Sequence, residues 1–462
     1  MNRLFQILAE RFARAGKELY LVGGSVRDRL LRRPSPDLDF ATDATPPETE
    51  AILREPWPPT THVSIYKVGE KFGTIGAVID NKRVEITTYR GEVYRDTRKP
   101  EVEFIRSLED DLARRDFTIN AMAMTPEGTI IDPFGGRSDL TGRYLRAVGS
   151  AEERFKEDPL RMLRAIRFAC QLGFDIERDS YAAIIHRAKT LGKISWERRA
   201  EEMTKILLSP RPAEGLKLLH NSYLLDQLIP ELLPMIGLQQ RGDYHHKDVW
   251  RHTLQVVENT DADLSLRWAA VLHDIAKPNT KSVEDGEVHF FGHEVLGAEI
   301  ARQVLLRFRY STELVERVTK LVRLHQRINL YESDWTVGAV RRFVREAGEE
   351  LPLLFALSRA DITSQREAKV AARMTLVREL EERVQRLREE EETEKIKSPL
   401  DGNELMAIFQ KPPGPWIGQV KDRLLNAVLD GEIDPDDREA AIALARQTLE
   451  VETGSRGEGG TG

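Results

Sequence analysis

The spacing of hydrophobic residues divides the chain into a mixed α/β part and a long helical part. From residue 18 to residue 150, short β-rich runs alternate with Gly, Pro and Asn or Asp, which predicts strands at Leu19–Val22, Thr74–Ile79, Val84–Thr88 and Thr129–Asp132. From Ala151 onward, hydrophobic residues recur every three or four positions, which predicts helices almost to the end of the chain. The pattern therefore predicts an α+β fold, in which a small mixed β-sheet precedes an all-helical remainder.

Changes in composition indicate how the chain divides into domains. A chain of 462 residues is too long for a single hydrophobic core. Eight of the 10 histidines fall within residues 220–325, and residues 376–397 have the composition of a solvent-exposed helix. We expect a head at 1–145, a helical neck at 146–240, a histidine-bearing helical module at 241–370 and a helical tail at 371–452. Residues 453–462 are predicted to be disordered.

Composition and charge exclude some classes of protein and leave a nucleic-acid partner open. Cys170 is the single cysteine, so no internal disulfide can form, which fits a reducing cytoplasm. No run approaches the ~20 apolar residues of a transmembrane helix, and the N-terminus lacks the apolar core of a signal peptide. We therefore expect a soluble cytoplasmic protein. The net charge of −7 arises in the C-terminal half, so it neither supports nor excludes RNA binding.

Two motifs near the N-terminus have the features of a phosphate-binding and metal-binding site. In LYLVGGSVRDRLL, Gly23 and Gly24 stand between a predicted strand and a helix, where backbone N–H groups attract phosphate oxygens, and Arg27 adds a charged donor. In PDLDF, Asp37 and Asp39 are two positions apart on a predicted strand, so both carboxylates lie on one face. Carboxylates this close repel unless a cation lies between them, and Mg²⁺ suits that position. Either motif alone also fits an ordinary turn.

A third motif, LARRDFTINAMAM, supplies further charged residues. Arg114 and Arg115 can hold a triphosphate, and Asp116 can act as a third acid near the metal ions. Glu85, in the predicted strand VEITTY, is the alternative third carboxylate, and the sequence does not decide between them. Two metal ions held in this way would activate a ribose 3′-OH and stabilise the departing pyrophosphate.

Charged residues recur every three positions along the helix predicted within EDPLRMLRAIRF, at Asp158, Arg161, Arg164 and Arg167. Residues three apart are neighbours on a helix, so this spacing fits ordinary surface ion pairs. It also fits base recognition, because cytosine and adenine each present an exocyclic amine beside a ring-nitrogen acceptor. An Asp acceptor next to an Arg donor would select these two bases without a template.

Six motifs in one order resemble the class II CCA-adding enzyme and bacterial poly(A) polymerase family: GGSVRD, PDLDFATDATP, RRDFTINAMAM, DPFGGRSDL, ERFKEDPLRMLRAIRF and ISWERRAEEMTKIL. The resemblance covers residues 18–235, and PLDGNELMAIFQKPPGPWIGQVKDRLLNAVLDGEI is similar to the tRNA-binding tail of that family. It implies a β-sheet head followed by a helical neck, body and tail. It further implies addition of C, C and A to the 3′ end of tRNA from CTP and ATP.

The resemblance also implies roles for individual residues. Asp37 and Asp39 would ligate Mg²⁺ in the catalytic centre, where Asp116 is the further candidate acid. Nucleotide binding would fall to Gly24, Arg27, Arg115, Asp158, Arg161, Arg164 and Arg167, with Asp158 and Arg161 selecting the base. Residues 91–104 correspond to a flexible loop that this family associates with the switch from C to A addition. Its presence favours full CCA or A-only addition, so A-only addition and poly(A) synthesis remain alternatives.

The histidine-rich segment resembles the HD phosphohydrolase superfamily. The metal ligands would be His252, His273, Asp274 and Asp361, in VWRHTLQV, AAVLHDIAKP and LSRADI, each on an apolar predicted helix. Such ligands suit Mn²⁺ or Ni²⁺, with Lys277 as a phosphate-binding residue and His293 and His325 as candidate additional ligands. Core histidines satisfied by hydrogen bonds and a degenerate module without metal are the alternatives. A phosphohydrolase acting on RNA ends or nucleotides is the competing function for the whole chain.

Overall fold

The computed structural model describes residues 3–35, 37–66, 73–93, 101–104, 107–239, 248–285, 287–363, 366–393 and 398–454. The chain forms two compact units, Met1–Leu233 and Pro234–Gly462. Over the ranges just given, no helix combines the length and the apolar character that crossing a membrane requires.

The first unit contains a seven-stranded mixed sheet. Its strands and those of two smaller sheets are β1 Leu19–Val22, β2 Asp37–Thr42, β3 Val63–Tyr66, β4 Thr74–Ile79, β5 Lys82–Thr88, β6 Arg90–Val93, β7 Glu101–Phe104, β8 Ala123–Met124, β9 Ile130–Ile131, β10 Tyr144–Leu145 and β11 Asp175–Ile176. The strand order is β3-β4-β5-β2-β1-β8-β9. β2 and β5 pair in parallel, and the other neighbours in this sheet pair antiparallel. β6 pairs with β7, and β10 pairs with β11.

The helices of the first unit are α1 Arg3–Arg14, α2 Gly24–Leu30, α3 Pro46–Arg54, α4 Leu108–Ala113, α5 Gly136–Gly142, α6 Ala151–Glu157, α7 Leu160–Leu172, α8 Arg178–Arg187, α9 Trp196–Leu207, α10 Pro212–Asn221 and α11 Leu225–Leu228. The large sheet is covered on both faces. Phe5 of α1 and Phe40 of β2 belong to one buried cluster, and Ala41 belongs to a second cluster on the opposite face. Because side chains alternate along a strand, Asp37 and Asp39 share the face of Ala41.

In the second unit, the regular elements that the described residues form are helices and one hairpin. Its elements are α12 Val249–Asn259, α13 Leu264–Leu272, α14 Lys277–Thr280, β12 Ser282–Glu284, β13 Glu287–His289, α15 His293–Arg307, α16 Thr312–Asn329, α17 Val337–Ala347, α18 Leu351–Asp361, α19 Glu367–Thr393, α20 Gly402–Phe409, α21 Pro415–Leu429 and α22 Arg438–Gly454. The last three helices share a small core, in which Leu405, Leu424 and Ala445 are fully buried.

The structure confirms the α+β fold with a sheet ahead of helices. β1 and β4 lie at the predicted bounds, and helices begin at Ala151 as expected. The hairpin of β12 and β13 was not predicted, because its strands are three residues each and too short to show a periodic pattern. The start of the histidine-bearing module, expected at residue 241, lies outside the described residues, and so do residues 94–100 of the loop segment. Of residues 453–462, which were predicted to be disordered, residues 453 and 454 belong to α22, and residues 455–462 lie outside the described residues. The remainder of the loop segment forms β6 and β7.

Candidate active site

Three carboxylates meet on one face of the large sheet. The parallel register of β2 and β5 sets Glu85 directly beside Asp39, while Asp37 lies two residues away along β2. Burial raises the pKa of the Asp39 carboxyl to about 6, the Glu85 and Asp37 carboxylates add to the rise, and Arg115 opposes it. A cluster of this kind is costly to ionise, and it offers the oxygen ligands that Mg²⁺ prefers.

Ser25 joins the glycine turn to the strand that carries the aspartates. Its hydroxyl donates to the carbonyl oxygen of Asp37 at 3.2 Å and accepts the N–H of Asp39 at 2.9 Å. The side chain is 3% exposed, so this link is shielded from water. Ser25 therefore fixes the first turn of α2 against β2. The sequence interpretation overlooked this residue, although it stands directly after the two glycines.

Gly23 is the glycine on which the geometry of the turn depends. Its φ of +68° lies in the left-handed region, and a Cβ there would lie 2.7 Å from Nη1 of Arg115. A Cβ on Gly24 would make an ordinary contact at 3.5 Å with the side chain of Arg27. The sequence interpretation named Gly24, whereas the structural constraint falls on its predecessor.

Asp116 takes part in a hydrogen-bonded chain between α2 and α7. Nη1 of Arg27 donates to Oδ1 of Asn120 at 2.7 Å, and Nδ2 of Asn120 donates to Oδ1 of Asp116 at 3.0 Å. Nε of Arg164 donates to the other oxygen of Asp116 at 2.7 Å. Burial opposes ionisation of Asp116, but Arg164 and Asn120 outweigh it and lower the pKa to about 2. The carboxylate beside Asp39 is thus Glu85, and Asp116 serves as a partner for Arg164.

Asp158 does not lie on the helix that carries the three arginines. α7 begins at Leu160, and Asp158 has an extended backbone with φ −136° and ψ 99°. The physical reason is Pro159, since the residue before a proline is pushed away from helical angles. One oxygen of Asp158 accepts the N–H of Leu160 at 3.0 Å, and the other accepts from Arg198 at 2.8 Å. The predicted helical spacing of three between Asp158 and Arg161 is therefore wrong.

Arg161 nevertheless lies close to that junction. Its Nη1 donates to Oε2 of Glu157 at 2.6 Å, and its Nη2 donates to the carbonyl oxygen of Arg114 at 3.0 Å. Asp158 and Arg161 are the two candidate base-reading residues. The side chain of Asp158 is oriented by Arg198, and that of Arg161 is oriented by Glu157, which precedes Asp158 in the motif. The sequence interpretation missed Glu157 and Arg198 as these partners.

Each of the five arginines predicted to bind nucleotide already has a carboxylate partner. The pairs are Arg27 with Asp28 at 2.8 Å, Arg115 with Asp111 at 3.2 Å, Arg161 with Glu157 at 2.6 Å, Arg164 with Asp116 at 2.6 Å, and Arg167 with Glu202 at 3.1 Å. Three of the guanidinium groups also surround the ring of Phe168, at 5.1, 5.6 and 4.2 Å for Arg27, Arg164 and Arg167. Nε of Arg115 and Nε of Arg167 are buried without a partner among the described residues.

In the second unit, four histidines and two aspartates converge. His252 lies on α12, His293 begins α15, His325 lies on α16 and Asp361 ends α18. His273 is the C-cap of α13, with helical backbone angles and its N–H bonded to the carbonyl oxygen of Ala269 at 2.8 Å, and Asp274 follows in a turn rather than on the helix as predicted. The ligand atoms of His252, His273 and Asp274 lie within 4.8 Å of one another, and so do those of Asp274, His293 and His325.

Ion pairs and burial set the charges in this cluster. Nε2 of His252 lies 2.8 Å from Oδ1 of Asp361, and Nζ of Lys277 lies 2.8 Å from Oδ2 of Asp274. Burial alone would raise the pKa of Asp274, but His273 and Lys277 hold it well below its ordinary value. Burial lowers the pKa of His325 to about 3, and the nearby His273 adds to the effect. Asp274 is thus ionised and His325 neutral near pH 7, the forms that bind metals.

Comparison with known proteins connects both units to characterised families. Residues 19–146 match the poly A polymerase head domain, residues 173–236 match a probable RNA and SrmB-binding site of polymerase A, and residues 243–365 match the HD domain. The chain is 34% identical to the CCA-adding enzyme of Geobacillus thermodenitrificans over 91% of each protein. It is 35% identical to the A-adding tRNA nucleotidyltransferase of Deinococcus radiodurans, over 89% of this chain and 92% of that enzyme.

Solved structures agree with these matches. The Bacillus stearothermophilus CCA-adding enzyme in complex with CTP superposes with a TM-score of 0.70 at 28% identity, over 98% of this chain and all of that one. The Thermotoga maritima CCA-adding enzyme complexed with tRNA shares the fold, with a TM-score of 0.57 at 20% identity, over 97% of this chain and 94% of that one. The sheet with its carboxylates, the helical remainder and these relatives agree: the chain belongs to the tRNA nucleotidyltransferase family of the CCA-adding enzymes.

Proposed function

We propose that this chain adds C, C and A to the 3′ end of tRNA, using CTP and ATP and releasing pyrophosphate. The observation that carries the proposal is the set of Asp37, Asp39 and Glu85 on adjoining strands, next to the turn at Gly23. Divalent metal ions serve nucleotidyl transfer in this family, and these three carboxylates fit Mg²⁺. When bound there, Mg²⁺ would lower the pKa of the ribose 3′-OH and neutralise charge on the leaving pyrophosphate.

The remaining residues would bind and orient the nucleotide. Arg115, whose buried Nε has no hydrogen-bond partner in the part of the chain that the structure describes, and Arg27 would hold the triphosphate near the carboxylates. Asp158 would accept the exocyclic amine of cytosine or adenine, and Arg161 would donate to the adjacent ring nitrogen. Arg164 and Arg167, whose guanidinium groups lie near the ring of Phe168, would support the bound nucleotide. We assign these roles to a head at 1–145 and a neck at 146–240.

Relatives support tRNA as the substrate. The structures similar to this chain include CCA-adding enzymes with CTP, with ATP and with tRNA. The tail at 371–452 is our candidate for tRNA contact, and the module at 241–370 connects it to the neck in sequence. The A-adding relative from Deinococcus radiodurans makes A-only addition the second candidate within the same chemistry.

The order of nucleotides can be tested with three tRNA substrates. Transcripts that end at the discriminator base, after one C, or after two C residues would be incubated with CTP, with ATP or with both. We expect C addition to the first two substrates, a single A on the third, and termination after A. Addition of A to the third substrate alone would favour A-only activity. Tracts of A on every substrate would favour a poly(A) polymerase, and no incorporation would contradict the proposal.

A second activity is favoured by the cluster in the second unit. Four buried histidines with two aspartates match the ligand chemistry of a metal-dependent phosphohydrolase, and Lys277 lies beside Asp274. We propose that this module hydrolyses phosphoesters at RNA ends or in nucleotides, with 2′,3′-cyclic phosphates as a first substrate to assay. Turnover with added Mn²⁺ or Ni²⁺ should be present in the wild type and absent in His273→Ala. Absence of turnover with either metal would make the module structural.

A further inference from the structure

Three arginines from separate segments of the first unit meet at the C-terminal end of α7. Nη1 of Arg33 donates to the carbonyl oxygen of Gln171 at 3.2 Å, and Nη2 of Arg143 donates to the carbonyl oxygen of Gly173 at 3.2 Å. The guanidinium group of Arg211 lies against Gly173, since a Cβ on that glycine would be 2.8 Å from its Cζ atom. We call Arg33, Arg143 and Arg211 the arginine cluster.

Capping of α7 explains only part of this arrangement. The carbonyl groups at the end of a helix lack partners within it, and that end carries about half a negative charge. Arg33 and Arg143 each satisfy one such carbonyl group with one of the five N–H groups of a guanidinium. The side chain of Arg211 donates no hydrogen bond within the described part of the chain. The cluster therefore has more positive charge and more donors than the helix end uses.

The neighbouring carboxylates do not balance this charge. Within the ranges that the structure describes, none of the three arginines forms an ion pair. Glu214 and Asp28, on adjoining segments, form ion pairs with other basic residues at 3.4 and 2.8 Å. The backbone N–H of Asp175 donates to the carbonyl oxygen of Arg143, so this carboxylate lies nearby. Even when the charge of Asp175 is counted, two positive charges remain, and such an excess attracts polyanions.

The arginine cluster is open to solvent. All three of its residues are exposed, and Tyr144, which follows Arg143, is 46% exposed. A guanidinium group binds phosphate oxygens through two parallel N–H groups, and an exposed aromatic ring can stack on a base. Arginines beside an aromatic side chain therefore have the chemistry of a surface that binds an RNA strand.

The arginine cluster lies within reach of an RNA end placed at the catalytic carboxylates. Arg33 stands four residues before Asp37 in the sequence, so their Cα atoms are at most about 14 Å apart. At the other end of α7 are Asp158 and Arg161, and the 13 residues of this helix span about 20 Å. The last few nucleotides of an RNA strand are long enough to connect these positions.

We propose that the arginine cluster binds the phosphate backbone of the tRNA substrate close to its 3′ end. The inference rests on the proposed addition of nucleotides to tRNA, and it names residues that hold the RNA. The phosphates bind to the N–H groups that the end of α7 leaves unused. Contacts with phosphates position a nucleic acid without reading its bases, which suits an enzyme whose tRNA substrates differ in sequence.

The test measures binding of a tRNA that ends at the discriminator base, with no nucleotide present, by filter binding from about 50 to about 300 mM KCl. Each phosphate contact adds ~0.7–0.9 to the slope of log Kd against log salt, and about 5-fold in affinity near 0.15 M salt. Arg211→Gln removes no hydrogen bond to the helix, and it should weaken binding about 5-fold and lower the slope by about 0.8. The triple variant, with Gln in place of Arg33, Arg143 and Arg211, should bind on the order of 100-fold more weakly.

Two further triple variants separate specific contacts from general effects. Lys in place of the three arginines keeps the charge, and it should keep the slope. The matched control places Gln at Arg3, Arg14 and Arg54, which are exposed on α1 and α3. These helices cover the face of the large sheet opposite the carboxylates, so the control should retain wild-type binding although its net charge changes equally.

Each outcome decides a separate point. Wild-type affinity and slope in the Gln variant of the cluster would overturn the proposal and leave the arginines as caps of α7. An equal loss in the control would also overturn it, and a loss with whole tRNA but not with an acceptor-stem hairpin would overturn the placement near the 3′ end. If the expected losses occur while the wild type adds no nucleotide to tRNA, the proposed function fails and the RNA site stands. If circular dichroism shows that a triple variant is unfolded, Arg211→Gln alone decides.

Discussion

The carboxylate cluster of the head predicts that Asp39 destabilises the protein when no metal is bound. Its pKa of about 6 in the folded chain compares with an ordinary value of 3.8, and a difference of about 2 units corresponds to about 3 kcal/mol. Because the pKa of Asp39 is higher in the folded chain than in the unfolded chain, the full destabilisation of about 3 kcal/mol is present above pH 6. The destabilisation becomes smaller as the pH falls, and it disappears below the unfolded-state pKa of 3.8. At pH 5 about half of it remains.

Asp39→Asn removes the charge and keeps the shape of the side chain. In EDTA at pH 8, the variant should unfold with a free energy roughly 2–3 kcal/mol higher than the wild type, and the gain should be about half as large at pH 5. Urea denaturation measures the free energy of unfolding, and hydrogen exchange of peptides from β2 and β5 shows whether the change arises in the first unit. Added Mg²⁺ should stabilise the wild type more than the variant.

Two further substitutions test the cause. Glu85→Gln removes the neighbouring carboxylate and should give a smaller gain in stability, because burial of Asp39 remains. Glu299→Gln, an exposed position on α15, should change stability by less than about 0.5 kcal/mol. Equal or lower stability of Asp39→Asn at pH 8 in EDTA would refute the reasoning, since it would mean that the carboxylate cluster carries no strain.

Three other predictions concern catalysis. Asp37→Ala or Asp39→Ala should lower nucleotide incorporation at least ~10³-fold with the fold intact, and more than a tenth of wild-type activity would contradict the assignment. Asp158→Ala should lower the preference for CTP and ATP over UTP and GTP about 5- to 150-fold in four-nucleotide competition, whereas unchanged preference would indicate a structural ion pair. Gly23→Ala should cost roughly 1–3 kcal/mol of stability and lower kcat/KM, while Gly24→Ala should stay near wild type in both.

The local sequence predicts the strands of the head, whereas it does not predict which carboxylates lie together in the site. β1, β4 and most of β5 follow from β-rich runs bounded by glycine and asparagine or aspartate. The choice between Glu85 and Asp116 as the neighbour of Asp39 depends on the register of β2 against β5. That register joins residues more than forty positions apart, and local periodicity carries no information about it.

A proline and the packing of helices explain the two other differences between the sequence predictions and the structure. Asp158 was placed on a helix because the charges recur every three residues, but Pro159 ends that periodicity at the backbone. The four predicted HD-type ligands do converge, and the sequence named His293 and His325 only as candidates. Their grouping into two sets that share Asp274 depends on packing among helices α12, α15, α16 and α18, which spacing along the chain does not encode.

The pairing of every proposed nucleotide-binding arginine with its own carboxylate has a consequence for product release. A site with five free guanidinium groups would attract any polyanion and would hold pyrophosphate after the reaction. Here each group is already neutralised and fixed in orientation, so little side-chain freedom is lost when a triphosphate arrives. Attraction to the phosphates is weaker for the same reason. For an enzyme that adds C, C and A in turn, as proposed above, this pairing would let pyrophosphate leave before the next nucleotide binds.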